Sequence, residues 1–544
     1  MFGFFGSFAP VARQNNALDI LVIHAKIWTD GHLMTANQLG VRDGKIVAIG
    51  SGLESRKAPS TLVIDANGHW VLPGIVDCHT HIVESCVKFA FGLKLESVTS
   101  KSEFQKKISD QAKLLPLGQW ILGGGWSADR FHSKEPPSKA WIDAVSGDHP
   151  AALSRMDGHS ILLNSAALKL SGITKDGPPD PDGGRIERDS ITHEPTGILA
   201  DRALIFVRTP QPSSADYDKA LLLTIDEAHR QGVTTSGDIV RRPLDFVWRK
   251  YMERPDRNFR VAMFCRVTDV NSVRAVKNIP GIPGWFEPRG IKLFMDGSMG
   301  SRSAFMDDPY TTPLPSQPQD WHGLEYPGAR NGAYKEMIDA AAEEQLQVVS
   351  HAIGDRSNHD ILDLYSHVEG LKSRRFRVEH AQHLRPADIA RFGELGVIPS
   401  MQPFHKSDDG PYVESVIGSV RAKSSYAFRS LLNSGAKLVF GSDFDVVTLN
   451  PWVGIATAVT GRISNGKVWM PEQNISLDQA LSAYTCDAAY SMFMENEVGS
   501  LQPGHLADFI ILDRALKPDG SNVSGAKPVR IFVGGKEVSV PIKK

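Results

Sequence analysis

The stretch Gly74-Ile-Val-Asp77-Cys-His79-Thr-His81 indicates both a fold and a chemistry. Its short apolar run is typical of a buried strand, and two histidines stand where that strand ends. Residues two apart on a strand point to the same face, so His79 and His81 can reach one metal ion. A His-x-His pair alone is about as often structural as metal-binding, and the metal hypothesis therefore depends on the ends of the other strands.

The centre of the chain alternates short apolar runs with helical stretches. This order predicts a parallel sheet, and enough such units close a barrel. The candidate strands begin at Gly74, Ala151, Gly290, Gln347, Phe376, Gly396 and Lys437, and helices are predicted from Tyr334 to Glu344, Pro386 to Leu395 and Ala427 to Ser434.

Four more polar residues stand at the ends of later strands: Lys292, His351, His380 and Asp443. The carboxyl ends of barrel strands form the active face, so these groups should converge with the first histidine pair. His351 and His380 are 29 residues apart, and His380 and Asp443 are 63 apart. A barrel uses roughly 30 residues per unit. The spacing therefore places Lys292, His351, His380 and Asp443 on strands four, five, six and eight.

The first third of the barrel is too long for three units. His81 and Lys292 are 211 residues apart, which predicts an insertion around residues 84–230. Short strand patterns occur at both chain ends and predict one composite β-sandwich domain. We therefore expect an α/β fold with a tail at 1–17, a β-sandwich from 18–72 plus 497–544, and a (β/α)8 TIM barrel over 73–496.

Composition excludes several classes of protein. The formal net charge of −2 gives no basic surface for nucleic acid, and no apolar run approaches the roughly 20 residues of a membrane span. The four cysteines have no disulfide spacing and indicate a reducing, cytoplasmic location. An N-terminal targeting segment stays open as an alternative, because the first ten residues are apolar but lack a basic start.

An ordered set of motifs resembles the amidohydrolase superfamily. Within it, the sequence is similar to the amidohydrolase-3 group, which includes N-substituted formamide deformylase and YtcJ-like hydrolases. The motifs include Leu72-Pro-Gly-Ile-Val-Asp-Cys-His-Thr-His, Gly123-Gly-Gly-Trp, Asp157-Gly-His, Lys292-Leu-Phe-Met-Asp-Gly-Ser, His351-Ala-Ile-Gly-Asp-Arg, Arg377-Val-Glu-His-Ala-Gln and Gly441-Ser-Asp. This set is specific to the group but not to a substrate.

The resemblance implies roles that agree with the strand positions. His79, His81, His351 and His380 would bind one or two divalent metal ions, and Lys292 matches a position often carboxylated to bridge two metals. Asp443 matches the general base. Zinc suits such mixed nitrogen and oxygen ligands best. A metal-activated hydroxide would then hydrolyse a carbon–nitrogen bond other than a peptide bond, in an amide, N-formyl or N-acyl amine.

Substrate contacts are less well specified by the sequence. The expected candidates are Trp126, Asp157, His159, Asp296 and Gln402. Simple core packing is the alternative for Trp126, and a turn-forming role is the alternative for Asp157. Glu379 is excluded as a ligand, because strand alternation turns it away from His380.

Two other functions stay open at this point. One is a cytosine-deaminase-like hydrolytic deaminase, which usually uses one metal without a bridging lysine. The other is a metal-free barrel scaffold. The expected partner is a small-molecule substrate, and a homodimer is one option for the assembly.

Overall fold

The computed structural model describes residues 16–133, 135–314 and 317–538. The predicted tail at 1–17 therefore lies almost wholly outside the described residues. No described helix is both long and apolar enough to cross a membrane.

Eight parallel strands form the central barrel, which confirms the predicted fold class. Their order in the sheet follows the chain, so each strand pairs with the next. The strands are Ile75–Thr80, Val233–Arg241, Arg260–Arg266, Phe286–Phe294, Gln347–Ala352, Arg377–His380, Ile398–Met401 and Val439–Phe440. Lys292, His351 and His380 lie on strands four, five and six, and Asp443 follows strand eight, as their spacing predicted.

The barrel closes between strands eight and one. Asp443 N donates to His79 O at 2.8 Å, and His81 N donates to Phe444 O at 2.6 Å. Gly441 permits this approach, because a Cβ added there would lie 2.6 Å from His79 N. A side chain at position 441 would thus push apart the two segments that carry His79 and Asp443.

Helices surround the barrel and bury their apolar faces against it. They are Ile82–Phe91, Ser214–Arg230, Asp245–Met252, Val270–Lys277, Pro327–Arg330, Ala333–Glu343, Asp355–Ser366, Leu371–Arg374, Pro386–Leu395, Pro403–Asp409, Val413–Ile417, Ser419–Ala422, Phe428–Asn433, Pro451–Thr460, Leu477–Ala483 and Cys486–Ser491. The three helices expected from the sequence are present within one residue of their predicted ends.

A separate sheet is inserted between barrel strands one and two. In sheet order its strands are Gly184–Arg188, Pro195–Asp201, Ser160–Leu163, Ala151–Arg155, Ile121–Trp126 and Leu93–Lys94. Its helices are Lys101–Leu114, Lys139–Ser146 and Ser165–Leu170, and it has apolar cores of its own. Ala151–Arg155, which the sequence suggested as a strand of the central sheet, belongs to this inserted sheet.

The two chain ends combine in a two-sheet domain. One sheet has strands Lys45–Gly50, Gln38–Arg42, Ile20–Ile23 and Leu62–Asp65, and the other has Lys536–Glu537, Pro528–Val533, Phe509–Leu512, Trp70–Pro73, Lys26–Thr29 and His32–Leu33. Their inner faces share one apolar core, in which the Phe509 and Phe532 rings stack at 4.3 Å.

Short 3-10 turns complete the described structure: Leu53–Arg56, Ala128–Arg130, Arg202–Phe206 and Pro471–Gln473. Two of them, Ala128–Arg130 and Arg202–Phe206, belong to the insertion and contribute residues to the large cavity described below.

Candidate metal centre

The histidine pair of the first barrel strand faces the carboxylate that follows the eighth. Asp443 Oδ1 lies 3.2 Å from His79 Nε2 and 3.3 Å from His81 Nε2. Asp443 adopts a left-handed backbone conformation with φ 61°, which turns the chain sharply just after strand eight. The three side chains therefore offer two imidazole nitrogens and a carboxylate oxygen to one point.

A second group of ligand atoms shares the same carboxylate. One ligand atom each from His380, His405 and Asp443 lies within 4.8 Å of the others. His405 Nε2 is 3.6 Å from Asp443 Oδ2, and the His380 and His405 rings are nearly parallel with centroids 6.1 Å apart. His405 was not among the residues expected from the sequence. It lies in the helix Pro403–Asp409, three residues beyond Gln402. The strand pattern of the sequence therefore does not indicate it as a ligand.

His351 stands beside these groups but belongs to neither. Its Nε2 lies 3.0 Å from the carbonyl oxygen of Gly297 and 3.3 Å from Asp296 Oδ1. Its ring centroid is 4.5 Å from that of His380. The structure thus brings His351 to the same polar face while its Nε2 is occupied by the loop after strand four.

Lys292 reaches the centre of the barrel as a buried amine. Its Nζ has no hydrogen-bond partner among the described residues. Burial lowers the pKa of Lys292 to about 8, although the charges of Glu379 and Asp443 oppose this shift. A buried cation without a hydrogen-bond partner is costly, so this position favours either neutralisation or an added ligand.

Glu379 holds His79 in place from behind. One carboxylate oxygen of Glu379 contacts His79 Nδ1 and accepts a hydrogen bond from Ser400 Oγ at 2.7 Å. The other accepts from Arg377 Nε at 2.7 Å. Burial alone would raise the pKa of Glu379, but Arg377 and His79 hold it well below its usual value. The carboxylate fixes the ring so that Nε2 points at Asp443.

The expectation that Glu379 faces away from the site is wrong. His380 has φ 74°, a left-handed conformation that interrupts the regular strand. Alternation therefore fails between these two neighbours, and both side chains point towards the polar centre. Glu379 acts on a ligand candidate and is not itself a member of either ligand group among the described residues.

The donor set fits a divalent cation. Several buried polar atoms here lack hydrogen-bond partners among the described residues: His79 Nε2, His405 Nε2, Asp443 Oδ1 and Lys292 Nζ. Buried polar atoms are rarely left without a partner unless an ion or another group satisfies them. Burial would raise the pKa of Asp443, but His79, His81 and His380 hold it well below its usual value. An ionised carboxylate among imidazoles suits zinc or a similar metal.

A cavity of about 820 Å³ opens above the two ligand groups. We call its two sides the barrel wall and the insertion wall. The barrel wall contains His81, Lys292, His351, His380, His405 and Asp443, and the insertion wall contains the lining residues between Ser127 and Ile205. This volume is in the range of pockets for small molecules.

Asp157 and His159, two of the predicted substrate contacts, line the cavity from the insertion. Asp157 pairs with Arg155 and accepts a hydrogen bond from Ser298 Oγ at 2.7 Å. It also accepts from the backbone N–H of His159 at 3.1 Å, which is the turn considered as its alternative role. His159 Nδ1 lies 2.8 Å from Asp201 Oδ1, and its ring is 5.2 Å from that of His351.

The other three expected substrate contacts lie behind the cavity surface. Trp126 is buried in the core of the insertion, where its Nε1 donates to Leu153 O at 2.8 Å. Asp296 accepts backbone hydrogen bonds from Ile353, Gly354 and Phe305. Gln402 Oε1 lies 2.8 Å from His380 Nδ1. The last two thus orient the loop after strand four and a histidine ring, respectively.

A family model described as "Amidohydrolase family" matches residues 62–538 of the chain. The chain is 37% identical to Protein LONG AFTER FAR-RED 3 of Arabidopsis thaliana, over 96% of this chain and 91% of that protein. It is 25% identical to N-substituted formamide deformylase of Arthrobacter pascens, over 91% of this chain and 93% of that protein.

A solved structure is also similar over most of its length. This is a metal-dependent hydrolase from Pyrococcus furiosus, which matches with a TM-score of 0.70 at 26% sequence identity. The match covers 91% of the present chain and 99% of the archaeal one. The family model and these relatives confirm the resemblance read from the motifs.

Proposed function

The chain belongs to the amidohydrolase family, and we propose that it hydrolyses a carbon–nitrogen bond other than a peptide bond. The proposed substrate is a small amide, N-formyl amine or N-acyl amine. The convergence of His79, His81, His380, His405 and Asp443 on one end of the barrel carries this proposal. These are side chains that suit metal-assisted hydrolysis, and all of them except the buried His79 line a cavity of about 820 Å³.

The two ligand groups share Asp443, so they are suited to one divalent ion or to a pair. His79 and His81 would hold one ion and His380 and His405 another, and Asp443 belongs to both groups. Zinc is the proposed metal because its usual ligands are histidine nitrogens and carboxylate oxygens. The family resemblance adds Lys292 as a carboxylated ligand, and its buried, unpartnered Nζ supports that role. The metal would polarise the scissile carbonyl and activate water.

Asp443 is the proposed general base. Its carboxylate is ionised, because the surrounding histidines hold its pKa well below its usual value although burial opposes this shift. It accepts a proton from the attacking water as the carbon–oxygen bond forms. It then delivers that proton to the amine nitrogen as the carbon–nitrogen bond breaks. The products are a carboxylic acid, or formate from a formamide, and a free amine.

The neighbouring groups prepare this chemistry. Glu379 and Gln402 hold the rings of His79 and His380 through Nδ1 contacts, which fixes the orientation of both rings. His159, held by Asp201, faces the same space from the insertion wall. It is placed to contact a polar atom of the substrate on the side opposite Asp443.

The test is a substrate panel with the zinc-loaded enzyme and its Asp443→Asn variant. The panel contains simple amides, N-formyl amines, N-acyl amines and nucleobases. We expect release of amine from at least one amide class, and a fall in kcat of roughly 10²–10⁴-fold in the variant, the range for loss of a general base. Metal content, measured by mass spectrometry, should stay at one ion or more per chain because four histidines remain.

Two outcomes contradict this proposal. Ammonia release from nucleobases without hydrolysis of any amide would identify a deaminase. An Asp443→Asn variant that keeps the wild-type kcat would exclude Asp443 as the base.

A further inference from the structure

Apart from Lys292 of the metal centre, the lysine and arginine side chains that line the cavity divide into two sets. Lys88, Arg130, Arg155 and Arg266 each form an ion pair with a carboxylate that also lines it. Arg202 and Arg241 line the cavity too, are exposed, and have no carboxylate within 4.0 Å among the described residues. Two arginines that line the cavity therefore have no protein carboxylate beside them among the described residues.

The carboxylates of the cavity are already occupied. Each one that lines it contacts a cation, a histidine or a tyrosine hydroxyl. Glu84, for example, accepts a hydrogen bond from Arg266 Nη1 at 3.1 Å and another from the backbone N–H of Arg241 at 2.6 Å. The backbone of Arg241 is thus fixed, while its side chain has no carboxylate partner among the described residues.

Arg241 stands above the metal centre on the barrel wall. It ends strand two, three residues beyond Asp238, and Asp238 is the register partner of Thr80, the residue before His81. Three residues of strand span roughly 10 Å. The long side chain of Arg241 can cover most of that distance, so a group a few bonds from a carbonyl at His81 would lie within its reach.

Arg202 approaches the same region from the insertion wall. It begins the turn Arg202–Phe206, directly after Asp201, whose carboxylate holds His159. Both Arg202 and Arg266 act electrostatically on the Tyr334 hydroxyl, and Arg266 is the register partner of Arg241. The two free arginines thus bracket one sector of the cavity.

Apolar side chains lie beside Arg202 in that sector. Leu204 and Ile205 line the cavity, and Ile205 is 70% exposed. An exposed isoleucine next to a free guanidinium suits a ligand that has both an apolar side chain and an anionic group. Free amines or uncharged amides would leave both arginines unmatched.

We propose that the substrate carries a carboxylate, bound by Arg241 and Arg202, next to an apolar side chain that packs on Leu204 and Ile205. This inference rests on the proposed function and names its substrate class: N-formyl or N-acyl derivatives of apolar amino acids. The amide carbonyl of such a molecule would lie at the metal centre, and its carboxylate would lie above it between the two walls.

Matched ligand pairs test this proposal. N-formyl-leucine and N-formyl-leucinamide have nearly the same size and differ by one charge, as do the corresponding N-formyl-phenylalanine compounds. Binding to the zinc-loaded enzyme is measured by calorimetry at low salt, and formate release is followed with the same compounds. We expect the carboxylates to bind at least about tenfold more tightly than the carboxamides, as expected when charge-assisted hydrogen bonds are gained.

Three variants identify the residues responsible. Arg241→Gln and Arg202→Gln should each reduce the carboxylate-to-carboxamide affinity ratio by about tenfold. Arg208→Gln is the matched control, because Arg208 is exposed and close in sequence but does not line the cavity. Its affinity ratio should equal that of the wild-type protein. Circular dichroism spectra of all three variants verify that each is folded.

The two readouts separate this inference from the proposed function. Equal binding of both members of each pair, binding of neither, or an unchanged ratio in both cavity variants overturns the carboxylate subsite. Formate release from carboxamides and carboxylates with equal KM also overturns it, while supporting amide hydrolysis. Selective, arginine-dependent binding without hydrolysis of any panel amide supports the subsite and contradicts the proposed function.

Discussion

The two walls of the cavity hold their polar side chains in different ways. On the barrel side, Lys292 lines the wall and His79 lies behind it. Both come from regular strands and are almost wholly buried, and Glu379 fixes the His79 ring. On the insertion wall, Asp157 and His159 lie in the turn between two strands of the inserted sheet and depend on Arg155 and Asp201. This difference suggests a division of labour, in which the barrel carries the reaction and the insertion selects the substrate.

Exchanging one histidine on each wall for alanine should give the largest contrast. His81→Ala removes a nitrogen 3.3 Å from Asp443 Oδ1, so we expect loss of the ion held with His79 and a fall in kcat/KM of roughly a thousandfold, about 4 kcal/mol. His159→Ala should keep its metal and raise KM by about tenfold, the cost of one hydrogen bond to substrate. Metal content and steady-state kinetics, measured on the same preparations, compare the two variants.

One result would contradict the proposed difference between the two walls. Loss of metal from His159→Ala to the same extent as from His81→Ala would show that the insertion wall helps to bind the metal. The division between the two walls would then be wrong.

A smaller effect is expected from the residue behind the barrel wall. Glu379→Gln keeps the size of the side chain but weakens its hold on His79, so metal affinity should fall by about 10–100-fold. A competition titration with a chelator measures that affinity. Glu495→Gln is the control, since Glu495 also pairs with an arginine, at 2.7 Å from Arg375, but lies away from the cavity. Equal metal affinity in the two variants would show that Glu379 does not support metal binding.

Strand register explains what the sequence could predict. Lys292, His351, His380 and Asp443 follow one another at the spacing of strand–helix units, and all lie at the same end of the barrel. Two barrel strands, Val233–Arg241 and Arg260–Arg266, were not recognised. The first begins Val233-Thr-Thr-Ser-Gly-Asp, where buried polar residues hide the apolar signal, and it follows a long insertion that disrupts the spacing.

Local breaks in that register explain what the sequence could not predict. Glu379 was excluded by strand alternation, which the left-handed backbone of His380 interrupts. His405 lies on a short helix, and its approach to Asp443 depends on the path of the chain after strand seven. The exposure of a loop or insertion residue depends on packing between distant segments, and local patterns carry no information about it.

Trp126 offers the finest test of the insertion wall. The sequence left cavity lining and core packing about equally favoured, and the structure buries the indole with its Nε1 donating to Leu153 O at 2.8 Å. Trp126→Phe should therefore lower stability to urea by about 1 kcal/mol, the worth of one hydrogen bond, and leave kcat and KM within twofold. Trp141→Phe is the control, because Trp141 shares this core but donates no side-chain hydrogen bond among the described residues. The backbone carbonyl of Trp126 accepts from Met156 N at 2.9 Å, just before the turn that carries Asp157 and His159, and this bond is kept in the variant. A tenfold change in KM with unchanged stability to urea would mean that the indole itself contacts substrate. Trp126 would then form part of the cavity surface.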